Sequence, residues 1–286
     1  MYSQSNFSRL YKFTGSRRKF AILLNMITTL LSDEQLLDQF QQAMRLPVNE
    51  ASETRLRGAL HALMGELLCR NPQYDKIKGM RTQSMLLACR IRLRALQNTV
   101  LAGRGENDFA PLRCGLRAWF EDLCAAADML LHPLGRAVLF EAPEESIEAA
   151  CAPRDIAWLL LELICNCARH CESEEISVDM SVKRTVGRPS ACVTTVACAG
   201  ALDLRRLHEA GQRQGSGVSA IQRVAWLHGG SVLWLQREGH SVASFRMPLR
   251  PGAALALAET PDFVELLSDR LSLAYTALAP AAAPGF

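Results

Sequence analysis

The sequence ELICNCARH places three side chains that could do chemistry four residues apart, at Glu162, Asn166 and His170. On a helix, this spacing puts a carboxylate, an amide and an imidazole on one face. An ordinary amphipathic helix that faces water would show the same polar stripe. The stripe therefore indicates either a solvated helix face or a polar site. Other features of the sequence are needed to distinguish the two.

A second candidate is the sequence GSGVSAIQRVAWLHGG, which begins at Gly215 and ends at Gly230. Gly215 and Gly217 come directly before a predicted helix over residues 218–227, which ends at a glycine stop. Backbone N–H groups at the start of a helix bind anions, and glycines allow a close approach. The alternative is a flexible loop that caps an ordinary helix.

The composition is that of a globular protein with room for two ordinary domains, since 49% of the 286 residues are hydrophobic and 21% are charged. The net charge is only +3, and no basic run is interleaved with aromatic residues, which argues against nucleic-acid binding. The apolar run Phe20–Leu31 is too short to cross a bilayer and lacks a signal-peptide cleavage pattern. We therefore expect a cytoplasmic protein with no membrane span in this chain and an internal helix at this run.

The ten cysteines occur without secretory features, which predicts free thiols in a reducing compartment. Cys165, Cys167 and Cys171 point around different sides of a helix and do not have the C-x2-C spacing of a zinc site. We expect buried apolar thiols here rather than a metal site.

Two long helical patterns come first in the chain. One runs from residue 18 to residue 68 and is interrupted only at Pro47, and the other runs from Ile77 to Gly103. The turn between them contains Asn71-Pro72, which disfavours helix. The pair predicts an antiparallel hairpin, whose apolar stripe a dimeric four-helix bundle would cover.

After residue 105 the pattern becomes mixed α and β, and we predict the α+β class, with the hairpin followed by an α/β sandwich. Helices are predicted over 112–131, 153–171, 218–227 and, with Thr260 as N-cap, 261–278; strands are predicted over 137–141, 176–182, 191–197, 231–236 and 241–247. The expected domains are a lead-in and helix (1–31), the hairpin (32–105), the sandwich (106–250), and a C-terminal helix with a disordered Ala/Pro tail (251–286).

This order of elements, together with the two motifs, resembles the core of two-component sensor histidine kinases over residues 32–248. ELICNCARH resembles the N box of the gyrase-type ATP-binding fold. The resemblance implies that Asn166 coordinates magnesium, that Glu162 is a base or an indirect magnesium ligand, and that Arg169 and His170 touch phosphate or adenine. It implies ATP and Mg²⁺ as cofactors, and a hard cation does prefer such oxygen ligands.

The glycine motif resembles the second glycine box of that family, which implies that Gly215 and Gly217 approach the phosphates. The family's first glycine box, D-x-G-x-G, corresponds to CAGAL in this chain. Gly200 is kept, but Leu202 replaces the second glycine and Cys198 stands where an aspartate binds the adenine amino group. A thiol is a poor acceptor. Losing such a contact costs about 1–3 kcal/mol, so we expect weakened adenine recognition.

The sequence QAMRLPVN resembles the phosphoacceptor motif H-E-x-R-x-P-L-N, with Arg45, Pro47 and Asn49 in matching positions. Gln42 stands at the histidine, and an amide has no nucleophilic nitrogen to accept phosphate. A helix kinked by a stray proline is the alternative. His61 lies further along without an arginine or proline beside it, and we expect it on a helix face near the hairpin turn.

Three functions are compatible with these residues. The first is a degenerate histidine kinase that acts as a homodimeric scaffold and docks a response-regulator receiver domain or another kinase. The second is an active ATP-binding protein kinase or ATPase that uses Glu162 and Asn166 and passes phosphate to another acceptor. The third is an interaction protein that uses only surfaces such as the 261–278 helix. We favour the first, because the substitutions at Gln42 and Cys198 both remove kinase chemistry.

Overall fold

The computed structural model describes residues 33–69, 76–170, 173–186, 188–201, 203–213, 215–249 and 255–282. The predicted lead-in, the helix over Phe20–Leu31 and the Asn71-Pro72 turn lie outside these ranges. The helices are α1 (Asp33–Arg45), α2 (Glu53–Cys69), α3 (Lys76–Gly103), α4 (Leu116–Leu131), α5 (Pro153–His170), α6 (Leu204–Gln212), α7 (Gly217–Leu227), α8 (Phe263–Ser268) and α9 (Leu273–Ala277). The strands are β1 (Leu112–Gly115), β2 (Ala137–Glu141), β3 (Glu148–Cys151), β4 (Glu175–Thr185), β5 (Arg188–Ala199), β6 (Ser231–Arg237) and β7 (His240–Pro248).

Helices α2 and α3 form the predicted hairpin, and α1 packs beside them. Arg57 near the start of α2 donates to the Gln97 side chain near the end of α3 over 3.1 Å, as antiparallel neighbours do. Pro47 separates α1 from α2, and Asn49 then caps a short 3₁₀ turn by accepting from the backbone N–H of Ser52. The buried side chains of this bundle are Leu36, Ala43, Leu56, Leu60, Leu63, Met64, Leu67, Met85, Cys89, Leu93 and Leu96.

The apolar stripe of the hairpin is largely covered within the chain itself. Leu36 and Ala43 of α1 are buried against it, and Leu271 from the C-terminal segment packs on the same cluster. Among the described side chains of residues 33–105, no large hydrophobic residue is exposed.

A five-stranded sheet in the order β2-β4-β5-β7-β6 forms the second half of the fold. The pair β2–β4 is parallel and the other neighbours are antiparallel. Alternate residues of the strands are buried, as Ile176, Val178 and Met180 of β4 illustrate, because one face of the sheet packs against helices. The α+β class, with a helical hairpin followed by an α/β sandwich, is confirmed. The predicted domain bounds stay a prediction.

The prediction of helix over 112–131 is wrong at its start. Residues Leu112–Gly115 form β1, which pairs antiparallel with β3. Helix α4 begins only at Leu116. The partner strand has the sequence EAAC, which lacks the β-branched and aromatic residues that would make a strand visible in the sequence.

The predicted helix over 261–278 is also corrected, because the structure divides it into α8 and α9. The N-cap is Asp262 rather than Thr260: its side chain accepts from the Glu265 N–H, and Glu265 accepts from the Asp262 N–H, in a capping box. The chain then turns, with the Asp269 carboxylate accepting from the N–H of Leu271. Residues 279–282 form a 3₁₀ turn with Ala279 buried, so the prediction of a disordered tail is wrong for them. Small side chains pack closely in that turn, and residues 283–286 lie outside the described ranges.

Eight described cysteines are free thiols, and seven of them are buried. Cys198 is disulfide-bonded, so the prediction of free thiols is wrong at this position. A disulfide requires two Cβ atoms within about 4.5 Å, and only the folded chain determines which segments meet. The described part of the chain contains no cluster of three or more His, Cys, Asp or Glu side chains suited to a metal ion. None of its helices has the length and apolar character needed to cross a bilayer.

Candidate functional site

A cavity of about 450 Å³ lies between helix α5, helix α6 with Asp203 and Arg213 that flank it, and strands β6 and β7. Its polar lining consists of Asn166, His170, Asp203, Arg206, Arg213 and Ser241, and its larger apolar side chains are Leu163, Leu207, Val218, Trp234 and Val242. Four residues of ELICNCARH therefore line the cavity, Leu163, Asn166, Cys167 and His170, and two of them, Asn166 and His170, belong to the polar stripe. The polar stripe on α5 is not simply a solvated helix face.

Two positively charged side chains, Arg206 on helix α6 and Arg213 directly after it, line this cavity. Helix α6 was not predicted from the sequence. Asp203 caps α6, since its carboxylate accepts from the Arg206 N–H over 3.0 Å and lies 3.2 Å from Arg206 Nε. Arg213 follows the last turn of the helix. The signal that could have revealed α6 is an Asp N-cap before the amphipathic run LRRLHEAGQ.

The His170 imidazole lies among arginines. Burial lowers the pKa of His170, and the nearby positive charges of Arg169, Arg94 and Arg206 lower it further. Its ring is therefore mainly neutral at pH 7. Arg169, which the resemblance assigns to phosphate or adenine, is half-buried and acts on His170 through its charge.

Glu162 lies one turn before Asn166 and is completely buried. Its Oε2 accepts a hydrogen bond from Arg94 Nη2 of α3 over 2.5 Å, and the Arg94 side chain is only 13% exposed. Burial raises the pKa of Glu162, and the positive charge of Arg94 opposes that shift. Within the described residues, Glu162 is not part of the cavity lining. The carboxylate is used in an ion pair between the hairpin and the sandwich.

The predicted phosphate glycines pack against the same region. A Cβ atom at Gly217 would lie 2.6 Å from Glu162 Oε2, and one at Gly215 would lie 2.6 Å from Thr99 Oγ1 of α3. Gly215 also has a φ of +77°, which favours glycine. Of this motif, the described cavity lining includes Val218 but neither of these glycines. Their contact with phosphate stays a prediction.

Gly200 follows the last residue of strand β5 and has a φ of 138°. Its N–H donates to the Gly239 carbonyl over 2.9 Å, and its carbonyl accepts from Gln236 and Ser241. These bonds fix the chain where CAGAL begins to turn. A role for Gly200 in nucleotide binding also stays a prediction.

Further polar contacts fix α3 and Arg104, the residue that follows it, to the sandwich. Trp158 Nε1 donates to Asn98 Oδ1 over 2.8 Å, and both residues are 2% exposed. Arg104 pairs with Asp155, and the Arg104 carbonyl accepts from Arg223 Nε over 2.7 Å. Sequence reasoning missed these residues, because each contact joins segments that lie far apart in the chain.

The candidate phosphoacceptor position lies on α1. Gln42 is exposed, and its Nε2 donates to Asp38 Oδ2 over 2.7 Å. His61 lies on α2, half-buried, where burial and the charge of Arg57 lower its pKa. Neither of these side chains lines the cavity described above.

The described lining offers few side-chain oxygens to a magnesium ion. Magnesium requires several oxygen ligands. Of the described oxygens near the cavity, the Asp203 carboxylate caps α6, the Ser241 hydroxyl donates to Gly200, and Glu162 is paired with Arg94. Among the lining side chains, the Asn166 amide therefore remains to offer an oxygen to the metal. Cys198, which the resemblance places at the adenine amino group, is 2% exposed and is not a carboxylate. Asn166 could therefore contribute one ligand to Mg²⁺, with phosphate and water oxygens as the others, whereas Cys198 does not supply the carboxylate that the family's adenine contact uses.

Comparison with known proteins finds similar folds among solved structures. No protein-family model matches the chain. No curated protein matches it either. The histidine kinase AdeS from Acinetobacter baumannii is 13% identical, with a TM-score of 0.47 over 70% of this chain and 98% of that one. The catalytic domain of the histidine kinase ThkA is 16% identical, with a TM-score of 0.42 over 50% of this chain and 96% of that one. The ATP-binding domain of PrrB from Mycobacterium tuberculosis is 15% identical, with a TM-score of 0.38 over 50% of this chain and 99% of that one.

AdeS and ThkA are histidine kinases, the family that the sequence motifs resemble.

Proposed function

We propose that this chain is a histidine-kinase-like signalling protein of a two-component system that has lost phosphoryl transfer to histidine and acts as a dimeric scaffold or regulator. The observation that carries the proposal is the buried ion pair between Arg94 and Glu162. A general base must lie within hydrogen-bond reach of the proton that it removes. Glu162 has no exposed surface, and its Oε2 is already bonded to a guanidinium. It is therefore a poor base for a substrate in the cavity.

The acceptor position supports the same proposal. An exposed amide at Gln42 cannot form the phosphoramidate that a histidine ring forms, because its nitrogen is not nucleophilic. Phosphoryl transfer within a kinase core would also require the hairpin and the cavity to approach each other. The contacts of Arg94, Asn98 and Arg104 with the sandwich oppose such a movement.

The expected partners are a second copy of the chain and a response-regulator receiver domain or another kinase. Helix α1, which packs beside the hairpin, exposes polar side chains such as Gln39, Gln42 and Arg45. We expect the partner surface to be polar there, and the binding to weaken with salt.

The alternative is an active ATP-binding protein kinase or ATPase that passes phosphate to another acceptor. The observation that favours it is the cavity itself, with Asn166 and two arginines in its lining. In this alternative Asn166 would hold Mg²⁺ through the nucleotide.

The test is incubation with γ-³²P-labelled ATP and Mg²⁺, using the wild type, Gln42→His and an active histidine kinase as positive control. We expect no label in either form of this protein, because restoring the imidazole at position 42 does not release Glu162 from Arg94. Label in the wild type that is lost in Asn166→Ala would contradict the proposal and support the alternative.

Light scattering tests the dimer separately. The proposal predicts twice the chain mass of 31.5 kDa, with a larger monomer fraction at high salt. A monomer at all protein concentrations up to about 100 μM, which implies a weak Kd on the usual affinity scale, would contradict the homodimeric scaffold.

A further inference from the structure

We propose that the C-terminal segment 262–282 is a releasable strap, which holds the hairpin against the sandwich and can leave while both remain folded. The strap comprises helices α8 and α9 and the 3₁₀ turn over residues 279–282. Its release frees the first half of α3 and gives the protein a switch between two arrangements of the hairpin. This inference goes beyond the scaffold function and does not depend on it.

The strap crosses the boundary between the two halves of the fold. Helix α8 packs against α4 of the sandwich, whereas α9 packs against both α5 of the sandwich and α3 of the hairpin. Leu266, Ala277 and Leu278 are buried in the apolar core of the sandwich, and Leu271 packs on the apolar cluster of the hairpin. One short segment therefore contacts both apolar cores.

The two ends of the strap are tied to the sandwich. At the start, the Phe263 N–H donates to Asp122 Oδ1 of α4 over 3.2 Å. At the end, the backbone of Ala281 hydrogen-bonds to the thiol of Cys165 on α5. Cys165 is completely buried, and this burial raises the pKa of its thiol to about 11. The end of the strap therefore lies over a thiol that is protected as long as the strap is docked.

The middle of the strap is tied to the hairpin by Arg90 of α3. Its Nη2 donates to the Arg270 carbonyl over 2.9 Å, and its guanidinium carbon lies 4.7 Å from the centre of the Tyr275 ring. A guanidinium is attracted to the face of an aromatic ring. Arg90 lies one helical turn before Arg94, so the strap and the Arg94–Glu162 pair hold neighbouring turns on one face of α3.

The strap folds only where it is docked, and it therefore leaves as one unit. Helices of six and five residues are not stable in water by themselves. Side-chain bonds within the strap join Ser272 Oγ to the Leu266 carbonyl over 2.7 Å and Tyr275 Oη to the Leu267 carbonyl over 3.4 Å. None of its described residues belongs to the five-stranded sheet, so the sheet keeps its backbone bonds when the strap leaves.

The experiment is pulsed alkylation of the full chain with iodoacetamide, in which peptide mass spectrometry gives the labelling rate of each buried thiol. Cys165 reports release of the strap. Cys192 on β5 is the internal reference, because burial raises the pKa of its thiol to about 11 as well and the thiol contacts Thr194 of the same strand. In the wild type we expect Cys165 to react faster than Cys192, since release of the strap requires less free energy than opening of the sheet.

Two variants weaken the strap without changing the core of the sandwich. Leu271→Asp removes the apolar contact with the hairpin, and Arg90→Ala removes both contacts of the guanidinium with the strap. Each should speed the labelling of Cys165 at least about fivefold and leave that of Cys192 within about twofold of the wild type. Arg90→Ala leaves the sequence of the strap unchanged, and it carries the test alone if Leu271→Asp does not fold.

Val264→Asp is the matched control. It introduces the same charge into α8 at a residue that is 60% exposed, and we expect both labelling rates to stay within about twofold of the wild type. Equal acceleration of Cys165 and Cys192 in the two strap variants would overturn the inference, because the segment would then open only together with the whole protein. Unchanged labelling of Cys165 in both variants would overturn it as well, since neither contact would then hold the segment in place.

Discussion

Replacement of Arg94 by alanine is expected to lower the free energy of unfolding by about 3–5 kcal/mol. The change leaves the Glu162 carboxylate without its guanidinium partner at a position with no exposed surface. A buried charge that loses its partner retains the full cost of its desolvation, which is why such changes are among the most destabilising. Urea denaturation followed by far-UV circular dichroism measures the effect.

Two further variants make this result specific. Arg205→Ala breaks an exposed pair with Glu209, and we expect a change within about 0.5 kcal/mol. The double change Arg94→Met/Glu162→Leu removes both charges together, and apolar replacements of a buried pair are commonly neutral or stabilising. We therefore expect the double variant to be more stable than Arg94→Ala. A loss below about 1 kcal/mol for Arg94→Ala would contradict the structural role of the pair.

Replacement of Gly217 by alanine is expected to lower the free energy of unfolding by about 1–3 kcal/mol, because the added methyl group is overpacked. Its Cβ would lie 2.6 Å from Glu162 Oε2 and 3.4 Å from Arg94 Nη2. Both of these atoms belong to the ion pair, so neither can move without weakening it.

The matched control is Gly58→Ala, which makes the same change in the exposed middle of helix α2. Apart from its chain neighbours and the backbone of its own helix turns, no heavy atom lies within 4 Å of the Cβ position there. We expect this variant to be more stable than the wild type by about 0.5–1 kcal/mol, since alanine favours helix over glycine. The two substitutions should thus have opposite signs in urea denaturation. Equal effects would mean that Gly217 does not pack against the pair.

Regular patterns made much of the fold predictable from the sequence. Strand β2 was predicted at its observed bounds of 137–141, and helix α5 within one residue. Strand β2 is a short apolar run, AVLFE, and helix α5 begins at Pro153 and ends next to a polar stretch, so the ends of both are visible in the sequence. Strand β1 was missed because its pairing with β3 is formed by distant residues of low β-propensity. The C-terminal helix was predicted too long because apolar periodicity continues through the turn at Asp269.

The sequence predicted site residues correctly only where a local pattern on one helix, α5, marks the side chains that line the cavity. Asn166 and His170 have a spacing that indicates this face, and the structure places both at the cavity. Arg94 precedes its partner Glu162 by 68 positions, so no local pattern relates them. Arg90, Arg92 and Arg94 occupy every second position of CRIRLR, so they cannot all lie on one face of the helix. This spacing was the one sign in the sequence that an arginine here points towards another part of the protein. Arg206 and Arg213 were missed together with helix α6.

Hydrogen exchange followed by mass spectrometry tests most directly whether the hairpin is fixed to the sandwich through Arg94 and Glu162. Our account predicts that amides of residues 94–101 in α3 and 159–166 in α5 open with the same free energy, equal to that of global unfolding in urea. Opening of residues 94–101 at a lower free energy, while 159–166 stay protected, would contradict the account. It would show a hairpin that moves independently, as phosphoryl transfer to it would require.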